Sequence, residues 1–182
     1  MKFTRLDIPD VVLVTPKVFG DLRGFFMETF RQDVFQKQIG PAAFVQDNHS
    51  KSNQGTLRGL HYQIRQPQGK LVRVVSGEVF DVAVDIRKSS SFFGRWTGTI
   101  LSAENKHMLW IPPGFAHGFY VMSPAAEFTY KCTDYYAPAH ERTLLWNDPF
   151  IGINWPLTGH APPVLSQKDS GGQPLETAEV FA

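Results

Sequence analysis

The chain has 182 residues, of which 42% are hydrophobic and 19% charged, and its formal net charge is +1. This length suits one hydrophobic core, and the apolar content excludes a disordered chain. The near-neutral charge gives no general attraction for nucleic acid or for an anionic membrane surface, and no apolar run approaches bilayer-spanning length. Any anion must therefore be bound by arginines and lysines that are concentrated locally.

The cysteine content bears on the compartment. Cys132 is the single cysteine, so no internal disulfide can form, which favours a reducing compartment. Because Cys132 lies in an alternating, strand-like run, we expect a small buried hydrophobe and not a nucleophile. The N-terminal apolar residues are interrupted by Asp7, Pro9 and Asp10, unlike the hydrophobic region of a signal peptide. These features predict a soluble, cytoplasmic protein.

Short strands dominate the predicted secondary structure. The first two are expected at residues 11–18 and 24–30. One short helix is predicted over residues 32–39, where apolar residues recur at helical spacing ahead of a Gly-Pro pair. Further strands are predicted at residues 57–63, 71–75, 79–86, 96–101, 108–111, 118–122 and 127–133, followed by a marginal helix at 174–180.

Turn signals separate these strands at intervals of roughly 8–12 residues, which is typical of a β-sandwich or barrel. No internal repeat or linker divides the sequence, so residues 1–182 are expected to form one domain. Residues 112–117 have the Pro-x-Gly-x-x-His pattern with which a strand begins in cupins. We therefore predict an all-β fold, a cupin-type jelly-roll β-sandwich with short peripheral helices.

The same pattern raises the question of a metal at His117. In metal-binding cupins, this histidine joins a His-x-His pair and a glutamate from an earlier strand. Here the earlier strand reads His61-Tyr62-Gln63, so the second histidine of the pair is missing. Because metal sites need three or four convergent ligands, we predict no metal and no other cofactor.

Titratable side chains on predicted strands suggest a reaction site. His61 could act as a base and Tyr130 as an acid beside a carbonyl, with Lys70 stabilising an enolate oxygen. His61 could instead be a hydrogen-bonded core residue. Strand alternation would place Arg58 on the opposite face from His61, unless Gly59 forms a bulge. Burying such cationic groups together is costly without an anionic guest, which favours an enzyme that acts on a small anion.

Other polar residues allow two interpretations. Arg23 and Glu28 could simply be turn and surface charges, which is the better interpretation of composition alone. The polar run at residues 46–52 could be a solvated loop or a set of donors that face a sugar or nucleotide. Tyr136 could be an ordinary sheet aromatic.

Several ordered segments make the chain similar to a known family. They are VFGDLRGFFMETF, FVQDNHSKS, LRGLHYQ, QGKLVRVVSGEVFDVAVDIRKSS, LSAENKHMLWIPPGFAHGF, YKCTDYY, LLWNDPFIGINWP and LSQKD. Over nearly its whole length, the sequence resembles the dTDP-4-dehydrorhamnose 3,5-epimerases, cupin-fold enzymes of L-rhamnose biosynthesis. The resemblance implies epimerisation at C3 and C5 of dTDP-4-dehydro-6-deoxy-D-glucose, through enolates, to dTDP-4-dehydro-L-rhamnose.

The resemblance also implies roles for individual residues. His61 would be the general base and Asp169 its orienting partner. Tyr130 would be the general acid, and Lys70 would stabilise the enolate oxygen. The residues expected to hold the nucleotide-sugar are Arg23, Glu28, Gln46, Asp47, Asn48, Arg58, His117, Glu141 and Lys168, with Tyr136 stacking on the thymine. Arg23 and Glu28 would reach the site through a homodimer in which N-terminal strands are shared.

Two other functions remain open. The nearer one is a related cupin that acts on the same substrate as a 5-epimerase, a 3-epimerase or a 3,4-ketoisomerase, because one base and one acid can serve one centre or two. The farther one is a non-catalytic cupin that binds sugar nucleotides. The joint presence of the four catalytic candidates argues against this second alternative.

Overall fold

The computed structural model describes residues 1–157 and 162–182. Its strands are β1 (Lys2–Arg5), β2 (Val12–Thr15), β3 (Val18–Asp21), β4 (Gly24–Met27), β5 (Gln46–Asn53), β6 (Leu57–Gln63), β7 (Lys70–Ser76), β8 (Glu78–Asp85), β9 (Trp96–Ser102), β10 (Met108–Ile111), β11 (Phe115–Val121), β12 (Ala125–Cys132) and β13 (Glu141–Thr143). The helices are α1 (Gln32–Gln38) and α2 (Gln167–Ser170), with a 3₁₀ turn at Pro138–His140. No helix in these two ranges is long and apolar enough to cross a membrane.

Two antiparallel sheets form the body of the molecule. One has six strands in the order β1-β2-β10-β7-β12-β5, and the other has five in the order β13-β6-β11-β8-β9. The hairpin of β3 and β4 stands apart from both sheets. This is the all-β jelly-roll sandwich with short peripheral helices that the sequence predicts.

Apolar side chains fill the space between the sheets. Val72 and Phe128 from the six-stranded sheet pack with Val79 and Val121 from the five-stranded sheet. Burial of such side chains, worth about 25 cal/mol per Å² of apolar surface, is the main force that holds the sheets together. The outer face of the five-stranded sheet is covered by C-terminal residues, and that of the six-stranded sheet by α1 and its flanking residues.

Most of the predicted elements are confirmed with shifted boundaries, but one predicted strand is split in two and one predicted helix is absent. The strand expected at residues 11–18 is split into β2 and β3 at Pro16, which lacks the N–H group that a strand ladder needs. The helix expected at 174–180 is absent, and residues 175–177 form only a turn. The carbonyl of Pro174 accepts the amides of Thr177 and Ala178, and the chain then extends so that Phe181 can pair beside Arg87.

A β-bulge in β6 decides which of its side chains share a face. His61 lies opposite His117 on β11, whereas Arg58 lies opposite Phe119, so β6 has one extra residue between these pairs. The extra residue reverses the alternation and turns Arg58 and His61 to the same side. Gly59 allows this, because its φ is +131° and a Cβ there would lie 2.5 Å from the Cα of Gly118.

Replacing Gly59 by alanine should therefore reduce the free energy of unfolding by at least about 3 kcal/mol, since the new methyl group meets backbone atoms in a left-handed conformation. Urea denaturation measures this loss. Gly20→Ala is the control, because its Cβ would meet only the Gly24 oxygen, at 3.7 Å. The control should change stability by less than about 0.5 kcal/mol. Equal stability of Gly59→Ala and the unaltered protein would contradict the expectation.

Candidate active site

A cavity of about 380 Å³ lies between the two sheets and receives side chains from both. Strands β5, β7 and β12 line it from the six-stranded sheet, and β6, β11 and β13 from the other. Its lining residues are Gln46, Asn48, Ser50, Arg58, His61, Gln68, Lys70, His117, Phe119, Phe128, Tyr130, Tyr136, Glu141 and Lys168. Ten of these residues are among the site residues predicted from the sequence.

His61 contacts a buried carboxylate behind the cavity wall. Its Nε2 lies 2.7 Å from Oδ1 of Asp169, although the N–H direction is not well aligned with that oxygen. Burial lowers the pKa of His61, and the charges of Lys168 and Lys70 act in the same direction, while Asp169 opposes them. His61 is therefore a neutral imidazole at pH 7, which is the form that can accept a proton.

Asp169 is held by donors from three residues. Besides its contact with His61, Oδ1 accepts the amide of Gly59 at 3.0 Å. Oδ2 accepts the hydroxyl of Ser166 at 2.5 Å and its amide at 3.3 Å, which completes a capping box at the start of α2. Burial alone would raise the pKa of Asp169, but these contacts outweigh it and hold that pKa well below its usual range.

Burial also sets the charge states of two other side chains in the cavity. Burial lowers the pKa of the Lys70 ammonium, and the neighbouring Cys132 and Glu141 act against this shift. Burial raises the pKa of Tyr130, so its phenol keeps its proton at neutral pH, while Arg58 acts in the opposite direction. The cavity thus combines a neutral imidazole, a desolvated lysine and a protonated phenol.

A chain of polar contacts borders the cavity. Glu141 accepts the hydroxyl of Tyr136 at 2.9 Å and the ammonium of Lys168 at 2.7 Å. Gln46 accepts the amide of Tyr136, so the half-exposed ring is held from two sides. Burial alone would raise the pKa of Glu141, but Lys168 and Tyr136 lower it, and the carboxylate stays charged. These contacts fix an aromatic face and a cation at the rim.

Three of the predicted residues lie away from the cavity. Asp47 points to the outer face of β5, because Gln46 and Asn48 face inward and a strand alternates, and its carboxylate pairs with Lys131 at 3.0 Å. Arg23 is exposed in the turn of the β3–β4 hairpin, where it pairs with Asp21. Glu28 follows β4 and does not line the cavity either.

Sequence reasoning missed several residues that support the site. Ser166 fixes Asp169, and Ser52 accepts a hydrogen bond from Nε of Arg58 at 2.9 Å. Asp81 is fully buried beneath the cavity, where both of its oxygens lie 3.0 Å from Nε2 of His117. A signal for Asp81 existed, since it interrupts the otherwise apolar run at residues 79–84. The two serines gave no such signal.

The described ranges contain no group of three or more His, Cys, Asp or Glu side chains arranged to hold a metal ion. The histidines of the cavity each face one carboxylate instead, His61 facing Asp169 and His117 facing Asp81. Independence from metals and cofactors stays a prediction, which activity measurements after chelation can test.

The chemistry of these groups suits proton transfer beside a carbonyl. A neutral base and a protonated acid are available in one partly desolvated cavity, and a lysine can stabilise developing negative charge. Combined with the jelly-roll fold, this defines the class of the cupin-type epimerases.

Comparison with known proteins identifies the family within that class. The chain belongs to the dTDP-4-dehydrorhamnose 3,5-epimerase family, whose model matches residues 5–177. It is 60% identical, over 182 residues, to the dTDP-4-dehydrorhamnose 3,5-epimerase of Pseudomonas aeruginosa, covering 100% of this chain and 99% of that protein.

Solved structures agree with this assignment. The dTDP-6-deoxy-D-glucose-3,5-epimerase of Legionella pneumophila, in complex with dTDP-4-keto-L-rhamnose, superposes with a TM-score of 0.95 at 51% identity, covering 98% of this chain and 94% of that one. A more distant match is a 3'-monoepimerase of Streptomyces bikiniensis in complex with dTDP-quinovose. It has a TM-score of 0.87 at 34% identity and covers 95% of this chain and 87% of that one.

Asp169→Asn should lower the free energy of unfolding at pH 7 by about 2–3 kcal/mol, because either orientation of the amide turns its NH₂ group toward a buried donor. Folding lowers the pKa of Asp169, so the contribution of the carboxylate is complete above the usual value of 3.8 and is lost as the pH falls below it. The gap in the free energy of unfolding between Asp169→Asn and the unaltered protein should therefore be smaller at pH 3 than at pH 7.

Urea denaturation at pH 7 and pH 3 measures this gap. Asp33→Asn is the control, since Asp33 is exposed and pairs only with Arg31 at the surface. That variant should stay within about 0.5 kcal/mol of the unaltered protein. A gap for Asp169→Asn that is equally large at both pH values would show that its carboxylate charge is not what stabilises the fold.

Proposed function

We propose that this chain catalyses epimerisation at C3 and C5 of dTDP-4-dehydro-6-deoxy-D-glucose, giving dTDP-4-dehydro-L-rhamnose, a step of dTDP-L-rhamnose biosynthesis. One observation carries the proposal. The base candidate His61 and the acid candidate Tyr130 come from opposite sheets and line the same cavity. Inversion of a carbon centre needs proton removal from one side and proton return from the other, which this arrangement supports.

The chemistry follows from the C4 ketone of the substrate. The ketone acidifies the hydrogens on C3 and C5, so each centre can be inverted through an enolate without a redox cofactor. His61 removes the proton, and Asp169 keeps its ring in position. Lys70 faces the oxygen on which negative charge develops, an interaction worth roughly 3–4 kcal/mol if it resembles an oxyanion-hole donor. Tyr130 then delivers a proton to the opposite face.

The cationic and aromatic groups around the cavity account for the nucleotide part of the substrate. Arg58 and Lys168 offer positive charge to the diphosphate, while His117 offers a ring nitrogen to the sugar side. Tyr136 offers its ring to the thymine, and Gln46 and Asn48 add polar contacts. Binding energy from the nucleotide can then hold the sugar ring between base and acid.

We infer a homodimer in which the β3–β4 hairpin of each protomer completes the site of its partner. The hairpin exposes Phe19, Leu22, Phe25 and Phe26, with Leu22 fully exposed. Such a concentration of apolar surface supports a protein contact. It also carries Arg23 in its turn, and Glu28 follows directly, so docking of the hairpin would bring both residues to a second copy.

We also infer a cytoplasmic location. Cys132 is the single cysteine and is buried, so the fold uses no internal disulfide, which suits a reducing compartment. The proposed substrate is a nucleotide-sugar, a class of metabolite that is made where nucleotides are available.

Epimerisation at a single centre is the second candidate, and the similarity to a 3'-monoepimerase favours keeping it. Proton NMR of the reaction in D₂O separates the two. Deuterium at both C3 and C5 of an L-rhamno-configured product supports the proposal. Deuterium at one centre with inversion there only would establish the second candidate, and no exchange at either centre would exclude both.

Tyr130→Phe should still exchange solvent deuterium into recovered substrate while forming at least about 10²-fold less inverted product, because only the proton donor is lost. His61→Ala should abolish the exchange itself. Mass spectrometry of recovered substrate and a coupled reductase assay for product measure the two effects. Tyr135→Phe is the matched control, since Tyr135 is exposed and does not line the cavity. Normal product formation by Tyr130→Phe would mean that another group is the acid.

The shared site predicts complementation between inactive variants. Co-expressed Arg23→Ala and His61→Ala chains should form mixed dimers with one site of unaltered composition, so activity should return to about one quarter of that of the unaltered protein. The quarter follows from half of the dimers being mixed and one of their two sites being intact. Asp169→Asn mixed with His61→Ala is the control. It should stay inactive, because each site takes both His61 and Asp169 from one chain, so neither site of a mixed dimer is intact. Absence of recovery in the first mixture would argue against an exchanged hairpin.

A further inference from the structure

A second histidine–carboxylate pair lies beneath the cavity, separate from His61 and Asp169. Asp81 on β8 is completely buried, and its carboxylate does not line the cavity. Nε2 of His117 lies 3.0 Å from both Oδ1 and Oδ2 of Asp81. His117 itself is buried but contributes to the cavity lining. Burying a carboxylate is costly unless it is paired and hydrogen-bonded, and here His117 supplies the pairing.

Packing also restricts the ring of His117. The ring stacks on Phe128 with a centroid separation of 6.2 Å and an interplanar angle of 25°. Phe128 stacks in turn on Phe119 at 4.3 Å. Gly118 follows directly and touches the bulge of β6, where a Cβ would lie 2.7 Å from the Arg58 carbonyl oxygen. The imidazole therefore has little freedom to turn away from Asp81.

The contact with Asp81 indicates which nitrogen of the His117 ring carries the proton. Both carboxylate oxygens lie at the same distance from Nε2. Because an ionised carboxylate can only accept, Nε2 carries the proton opposite a charged Asp81, and Nδ1 is the nitrogen left to interact with a bound molecule. Burial raises the pKa of Asp81, and His117 and Lys70 oppose this shift.

We propose that Asp81 is a positioning residue for the reaction, holding His117 in the Nε2–H form so that Nδ1 always faces the substrate. This inference rests on the proposed function for its kinetic consequences, but not for the tautomer itself. An asparagine at position 81 keeps the size of the side chain and can also donate to Nε2. It therefore permits the other tautomer, in which Nδ1 carries the proton and cannot accept.

Nitrogen-15 NMR of the histidine rings in the full-length protein tests the tautomer directly. At neutral pH, Nε2 of His117 should be protonated in the unaltered protein, with the signals assigned by their loss in His117→Gln. In Asp81→Asn a substantial Nδ1–H population should appear. An unprotonated Nε2 in the unaltered protein would overturn the inference, and this measurement needs neither activity nor a variant at position 81 that folds.

Kinetics on dTDP-4-dehydro-6-deoxy-D-glucose supply the second readout. Asp81→Asn should lower kcat/KM by about 10²-fold, the scale of a misplaced positioning group. The control is Asp148→Asn, another buried acid, which accepts the amides of Phe150, Ile151 and Leu175 away from the cavity. It should reduce stability yet leave kcat, KM and the His117 signals unchanged.

The outcomes separate the two proposals. No turnover by the unaltered protein would refute the proposed function, while the NMR signals would still decide the role of Asp81. Unchanged kinetics in Asp81→Asn, or an equal kinetic loss in Asp148→Asn, would overturn the positioning role. A tautomer shift together with a loss of kcat/KM that is confined to Asp81→Asn would establish it.

Discussion

The carboxylate of Asp169 is the group on which the arrangement of the site depends. One oxygen accepts the Gly59 amide within the β6 bulge and meets His61, and the other accepts from Ser166. Taking a carboxylate out of water is costly unless its oxygens are hydrogen-bonded, and here Gly59 on the distant strand β6 and the nearby Ser166 each donate to one of them. The shape of the bulge, the orientation of the imidazole and the docking of α2 are therefore consequences of one interaction.

Local charge, and not net charge, gives the cavity its preference for anions. The protein carries a formal charge of only +1, yet Arg58, Lys70 and Lys168 line the same 380 Å³ space. Glu141 compensates part of this charge through its contact with Lys168. Charges act more strongly in a desolvated cavity than in bulk water, so the three cations that line this cavity favour a guest with a diphosphate. In the proposed reaction, the charge of Lys70 lowers the energy of an enolate.

The sequence allowed the fold to be predicted, because strand periodicity and turn residues are local signals. Strand β6 is an example, since its predicted bounds match the structure. The predicted helix at 174–180 is absent because tertiary contacts outweigh a weak local preference for helix. Phe181 pairs beside Arg87, and Leu175 and Val180 pack on the outer face of the five-stranded sheet.

Ten of the predicted site residues line one cavity, whereas strand geometry keeps Asp47 outside it. Gln46, Asp47 and Asn48 are consecutive, yet a strand cannot turn all three to one face, so Asp47 lies outside the cavity. Asp81 acts on His117 only through the pairing of β8 with β11, strands that are distant in the chain, which no local pattern records. Ser52 lies only six residues before Arg58, but on a strand of the other sheet. The four-residue helix α2 extends this point to folding. A helix that short cannot persist alone, and its Asp169 meets an amide 110 residues earlier in the chain. Closure of such a long loop is slow and entropically costly, so we expect catalytic competence to arise late in folding, after the sandwich itself has formed.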